Sequence, residues 1–168
     1  MDKNRNFLNG ADIRPVILPV DLAAGANTGL RVPLRNYDRA VFLFFAEQGT
    51  AGQDPIITLR QHDAASGGTS KNLAAIATVW QKENDTTLPN DWTVITQAAG
   101  ATYTSETGGE SLQMIVIEVE SADLDVTNGF THVSIDVPDT GATAGKIGCA
   151  IAILLEPRYA SDRPATAA

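Results

Sequence analysis

The chain has 168 residues, 43% of them hydrophobic and 19% charged, with a formal net charge of −8. That length suits one domain around one core, and the composition fits neither a disordered chain nor one with a membrane helix, which needs about 18 uninterrupted apolar residues. The acidic balance excludes nucleic acid as an expected partner, because neutralising phosphates takes a surplus of Lys and Arg on one face.

The opening segment, MDKNRNFLNGADIRP, lacks the apolar core of a signal peptide, so synthesis in the cytosol is expected and no membrane partner is. Residues 1–13 read as an extended arm in which Phe7 and Leu8 stand alone in polar surroundings, as an anchor would. Residues 14–160 read as one domain, and 161–168 as a Pro- and Ala-rich tail. Charge is uneven along this layout. Residues 1–40 hold six basic and four acidic side chains, whereas 81–139 hold eleven acidic ones against Lys82 alone. Such asymmetry can steer a basic segment onto an acidic neighbour, another copy included, though a solvated acidic face is the commoner use.

Turn-rich segments punctuate the domain about every dozen residues: AAGANTG, EQGTAGQDP, ASGGTSKN, ENDTTLPND, AAGATYTSETGGE, VTNGF and VPDTGATAG. Short strands between such turns predict an all-β, antiparallel sandwich or barrel, the sandwich being the preferred expectation. Leu30, Val32 and Leu34 alternate with Arg31 and Pro33, and Val133, Ile135 and Val137 alternate with His132, Ser134 and Asp136, which predicts one buried and one wet face. Residues 40–46 (AVFLFFA), 114–119 (MIVIEV) and 147–155 (IGCAIAILL) are apolar on both faces. They predict central strands packed on both sides, or strands whose outer face meets another subunit. Between 71 and 84, Leu73, Ile76, Ala77 and Trp80 keep helical spacing, but a strand over about 75–82 is the preferred expectation. Ile151 and Cys149 are expected inside the domain, Cys149 as a small core residue, and Pro157 is expected to end the last strand.

Residues with chemical capacity do not form a working set in the sequence. TGATAGK (140–146) has three residues between its glycines and Ile147 after Lys146, where a phosphate loop needs four and a Ser or Thr. DLDVTNG puts Asn128 and Ser134 where a helix-loop-helix calcium site needs Gly and Glu, so a turn through Asn128-Gly129 is expected. His62 and His132 stand 70 residues apart, outside any metal-binding spacing. No Gly-x-Ser-x-Gly elbow occurs, and Glu118 and Glu120, at i and i+2 of a strand, read as a wet face. Trp80, Trp92 and Tyr103 read as core filling or subunit contact ahead of a sugar-stacking shelf. The expectation is therefore no enzyme, no cofactor and no metal.

Two segments carry a resemblance. One spans residues 16–74, with its Pro-Val-Asp entry, its Asn36-Tyr37 strand end and its Leu-Arg-Gln-His-Asp-Ala strand before Gly67-Gly68; the other spans 122–160 and closes on Pro157-Arg158-Tyr159. Taken in order, they resemble a family of small head decoration or cement proteins of tailed bacteriophages. The resemblance implies a jelly-roll-like β-sandwich that binds the outer surface of the major capsid protein lattice in the virion head and staples capsomers together. It implies association with copies of itself, as a dimer or trimer. Arg5, Phe7 and Leu8 of the arm, with Arg158 and Tyr159 at the exit of the last strand, are the expected contacts, since Arg and aromatic residues dominate interface hot spots. A carbohydrate-binding or adhesion module of the virion is the alternative.

Overall fold

A computed structural model describes residues 7–84, 91–105, 111–141 and 145–158. Arg5 and Tyr159 lie outside the described residues. The fold is an antiparallel β-sandwich of two packed six-stranded sheets, the preferred one of the two architectures that the turn spacing allowed. Among the described residues no helix is long and apolar enough to cross a membrane.

The first sheet runs in the order β1 (Ala11–Asp21), β12 (Ile147–Pro157), β4 (Tyr37–Ala46), β10 (Leu112–Glu120), β7 (Ile76–Asn84), β8 (Thr93–Gly100). The three runs that are apolar on both faces are thus its adjacent middle strands, β12, β4 and β10. The second sheet orders β2 (Asn27–Thr28), β11 (His132–Val137), β5 (Ile56–His62) and β6 (Ser70–Asn72). To it are added β3 (Val32–Pro33) on β11 and β9 (Thr102–Thr104) on β5. The segment whose period was ambiguous between helix and strand is β7. Residues 11–13, placed in the arm by sequence, are the first residues of β1.

Large and small side chains alternate across the core. Phe42 and Phe44 point inward from β4, and their partners on β12 are Ala152 and Ala150. The alanines leave the room that the two rings fill, as close packing requires. Ile115 and Ile117 of β10 continue this layer, facing Ile57 and Leu59 of β5 and Val133 and Ile135 of β11 within one buried cluster. The same alternation corrects two expectations. Cys149 and Ile151 flank Ala150 and therefore point out of the sandwich, where both are half-buried. Leu30 also departs from its predicted buried set: β3 begins only at Val32, and Leu30 is 64% exposed.

Candidate interaction face

The register of the first sheet sets its outer surface. Pro15 pairs with Ile151, Ile151 with Leu43, Leu43 with Val116, Val116 with Trp80 and Trp80 with Val94. Directly paired residues share a face, so one apolar row crosses all six strands. No member of the row belongs to the buried core cluster or packs against it. A second row, Cys149, Phe45 and Met114, runs along one side, and a third, Ile13, Ile153 and Val41, along the other. Contiguous apolar surface of this extent on the outside of a folded domain marks an interaction site.

Charge ends the second and third rows. Lys82, the partner of Met114, continues the second row on β7 and stacks on the Trp92 ring, with its Nζ 4.8 Å from the centroid. Glu118, the partner of Val41, continues the third row on β10, and Arg39 donates from Nη1 to Glu118 at 3.2 Å and from Nη2 to Glu156 at 3.0 Å. Glu118 and Glu120 are both exposed, as the i and i+2 spacing predicted. Trp80 and Trp92 are 40% and 41% exposed, whereas Tyr103 is buried and donates its hydroxyl to Gln81 Oε1.

The expected contact residues that the structure describes gather at one end of this sheet. Ala11 pairs with Leu155, so the turn before β1 and the exit of β12 leave side by side. Phe7 and Leu8, in a 3-10 turn, are 59% and 48% exposed. Arg158 is held within the chain: Nε donates to Asp38 Oδ1 at 2.7 Å, and Nη2 donates to Ser121 Oγ at 2.6 Å. Its backbone N–H donates to the Asn36 carbonyl at 2.9 Å.

The outer side of the second sheet is different in kind. His62 and His132, remote in sequence, are cross-strand partners. His62 is only 3% exposed, with Nδ1 2.7 Å from Ser70 Oγ and Nε2 2.9 Å from Ser134 Oγ. Arg31 lies over this cluster and donates from Nη1 to the carbonyls of Ala64 and Gly67 and from Nη2 to Ser70 Oγ. That cover buries Ser134 completely, although its strand position predicted a wet side chain. Burial first, then the charges of Arg31 and Arg60, push His62 down to about 4, and burial then Arg31 lower His132. The Ser134–His62 contact superficially matches a nucleophile and base, but a carboxylate should orient Nδ1, and here a serine occupies that position. Asp136 instead accepts from Ser134 Oγ at 3.2 Å. No group of three or more His, Cys, Asp or Glu side chains among the described residues is placed to hold a metal ion.

The remaining sequence candidates resolve into structure-holding contacts. Asp125 accepts from the Asn128 backbone and side-chain nitrogens and pairs with Lys71, and Gly129 follows with φ of 83°, making the expected turn. Lys146, at the end of the failed phosphate loop, is fully buried. Burial lowers its pKa against the opposing pull of Asp54, Glu47 and Glu83. Nothing in the spacing of TGATAGK signals an interior lysine, because its carboxylates come from β7 and from residues 47–54.

Comparison with known proteins adds no identification: no family model matches the sequence, and no curated protein matches it.

Proposed function

We propose that this chain is a structural protein of a tailed-phage virion head, binding the outer surface of the major capsid protein lattice and stabilising it by many modest contacts. The observation that supports this most is the end of the first sheet, where Phe7 and Leu8 stand exposed beside the exit of β12. An apolar anchor in a short turn, fixed to a rigid sandwich, suits docking into a groove of a lattice subunit. Repetition over the lattice converts weak single contacts into a large resistance to separation. Arg158 contributes by holding the exit of β12 to Asp38 and Ser121.

The test is co-sedimentation with phage heads stripped of this protein, comparing the full chain with one beginning at Gly10, which leaves β1 intact. Saturable binding by the full chain, lost in the shortened one, is expected. Absence of binding by the full chain overturns the proposal. Exposed Trp80 and Trp92 favour a second function, stacking on a sugar ring as an adhesion module. Glycan binding that is lost on Trp80→Ala would establish that alternative, although the Lys82 ammonium already occupies one face of Trp92.

A further inference from the structure

We infer that residues 63–69 and β6 form an acid-released latch on the outer side of the second sheet: Arg31 clasps them while the His62 ring is neutral, and lets go, with the sandwich intact, when that ring takes a proton. This is separate from lattice docking, which engages the end of the first sheet.

Proton counting fixes the direction of the hydrogen bonds. Ser134 Oγ carries one hydrogen, and Asp136 Oδ1 accepts it at 3.2 Å. The 2.9 Å contact between Ser134 Oγ and His62 Nε2 therefore needs its proton on Nε2. Nδ1 of the neutral ring is then an acceptor, and the Ser70 hydroxyl donates to it at 2.7 Å. Ser70 Oγ in turn accepts from Arg31 Nη2 at 3.2 Å. The chain runs one way, from Arg31 through Ser70, His62 and Ser134 to Asp136, and it holds only while Nδ1 lacks a proton.

Protonation of Nδ1 reverses the Ser70 link. Imidazolium and guanidinium then share one oxygen, at 2.7 and 3.2 Å, in a site little reached by water, where like charges repel strongly. The neighbours add to the conflict. Arg31 before β3, Arg60 on β5 and His132 on β11 all oppose a positive ring, and Asp63 after β5 favours one. The Asp63 Oδ1 already holds the Thr69 N–H at 2.8 Å, and Ser134 stands between the ring and Asp136. Lys71, next to Ser70 on β6, points to the opposite side and pairs with Asp125.

The strap yields before the sheet. Arg31 also donates from Nη1 to the Ala64 and Gly67 carbonyls, at 2.8 and 2.6 Å, so its departure frees the loop at both points. No residue from Asp63 to Asn72 is buried, whereas Leu73 lies in the core and its N–H donates to the Leu59 carbonyl. Opening from 63 to 72 thus exposes none of the apolar core, and segments of this kind open locally.

The test is amide hydrogen exchange by NMR on the full chain at pH 7.5 and pH 5, corrected for intrinsic rates, together with the nitrogen shifts of the His62 ring. The closed latch favours the neutral ring, so it is complete above pH 6.5 and weakens as pH falls toward 4. A ring pKa of about 4 when closed and about 6.5 when open raises the opening constant about 30-fold between the two pH values. The expected result is a neutral ring protonated on Nε2, a Thr69 amide far less protected than those of Phe42 and Phe44, and a fall of that size in Thr69 protection. Arg31→Gln should remove Thr69 protection already at pH 7.5 and leave Phe42 and Phe44 protected. His62→Asn should make Thr69 protection equal at the two pH values; a full fall in that variant would assign the effect to Asp63 and overturn the latch. A ring protonated on Nδ1 overturns it as well. So does Thr69 protection equal to that of Phe42, since the loop then opens only with the whole domain.

Discussion

Arg39 reaches Glu156 across the β4–β12 pair, its Nη2 donating to Oε1 at 3.0 Å, and Glu156 is the one non-glycine residue among those described with positive φ, 59°. Glu156 also precedes Pro157, a position that favours extended backbone. The left-handed conformation costs roughly 1 kcal/mol or more in a residue with a Cβ. An ion pair with this much solvent exposure returns about 1 kcal/mol at most. The strain therefore belongs to the sharp exit of β12, which turns Arg158 toward Asp38 and Ser121. Glu156→Gly should be more stable than Glu156→Ala by about 1 kcal/mol in urea unfolding, because both lose the ion pair and only glycine relaxes the backbone. Equal midpoints for the two variants would show that φ at this residue carries no strain.

The sequence made the strands legible where alternation was clear and misled where it was not. Residues 147–155 are apolar at every position, so the chain itself does not say which side of β12 faces in. Ile151 looked like core because it is large, yet the register gives the inner side to Ala150 and Ala152, whose small size accommodates Phe44 and Phe42. Face assignment in such a strand depends on the volume of its neighbours, which only the pairing reveals. Likewise the six-strand apolar row was foreseen only as an outer face on three strands. Its extension through Pro15, Trp80 and Val94 depends on strands distant in sequence.

Adjacent substitutions on β12 separate its two sides. Ala152→Asp places an unpaired carboxylate beside Phe42 in a fully buried layer, and should cost more than about 4 kcal/mol or prevent folding. Ile151→Asp, one residue earlier, falls on the half-buried outer face, where water reaches the carboxylate, and should cost less, about 1–2 kcal/mol. Urea midpoints compare them, and similar losses would overturn the assignment of faces.

His62 supplies a pH dependence with a definite sign. The folded state holds the ring near pKa 4, against about 6.5 when unfolded, so folding favours the neutral form. Its contribution is complete above pH 6.5 and is lost as pH falls toward 4. The expected loss is about 2 kcal/mol at pH 5. His132 shifts in the same direction, whereas Asp136, raised by burial, acts in the opposite sense. Unfolding midpoints at pH 7.5 and pH 5 should differ less in His62→Asn than in the natural chain. A pH loss of the same size in both would assign the effect to other groups.

Lys146 tests whether an interior cation is required by the carboxylates around it. Its side chain is fully buried, and Asp54, Glu47 and Glu83 oppose the lowering of its pKa by burial. Glu83 also accepts from Ser105 Oγ, and Ser105 accepts from Gln81 Nε2 at 3.2 Å, so the lysine stands at the edge of a polar chain linking β7 to the residue after β9. Glu47 is exposed and Asp54 and Glu83 are half-buried, so the carboxylates left behind without the lysine are partly solvated and the loss should be about 2 kcal/mol, below that for breaking a fully buried pair. Lys146→Met should lose that much at pH 7, although methionine fills nearly the same volume. Adding Glu83→Gln should recover part of the loss, since one uncompensated charge is removed with it. Full stability of Lys146→Met alone would mean that solvent already screens these carboxylates, and that the lysine is packed there for its aliphatic stem.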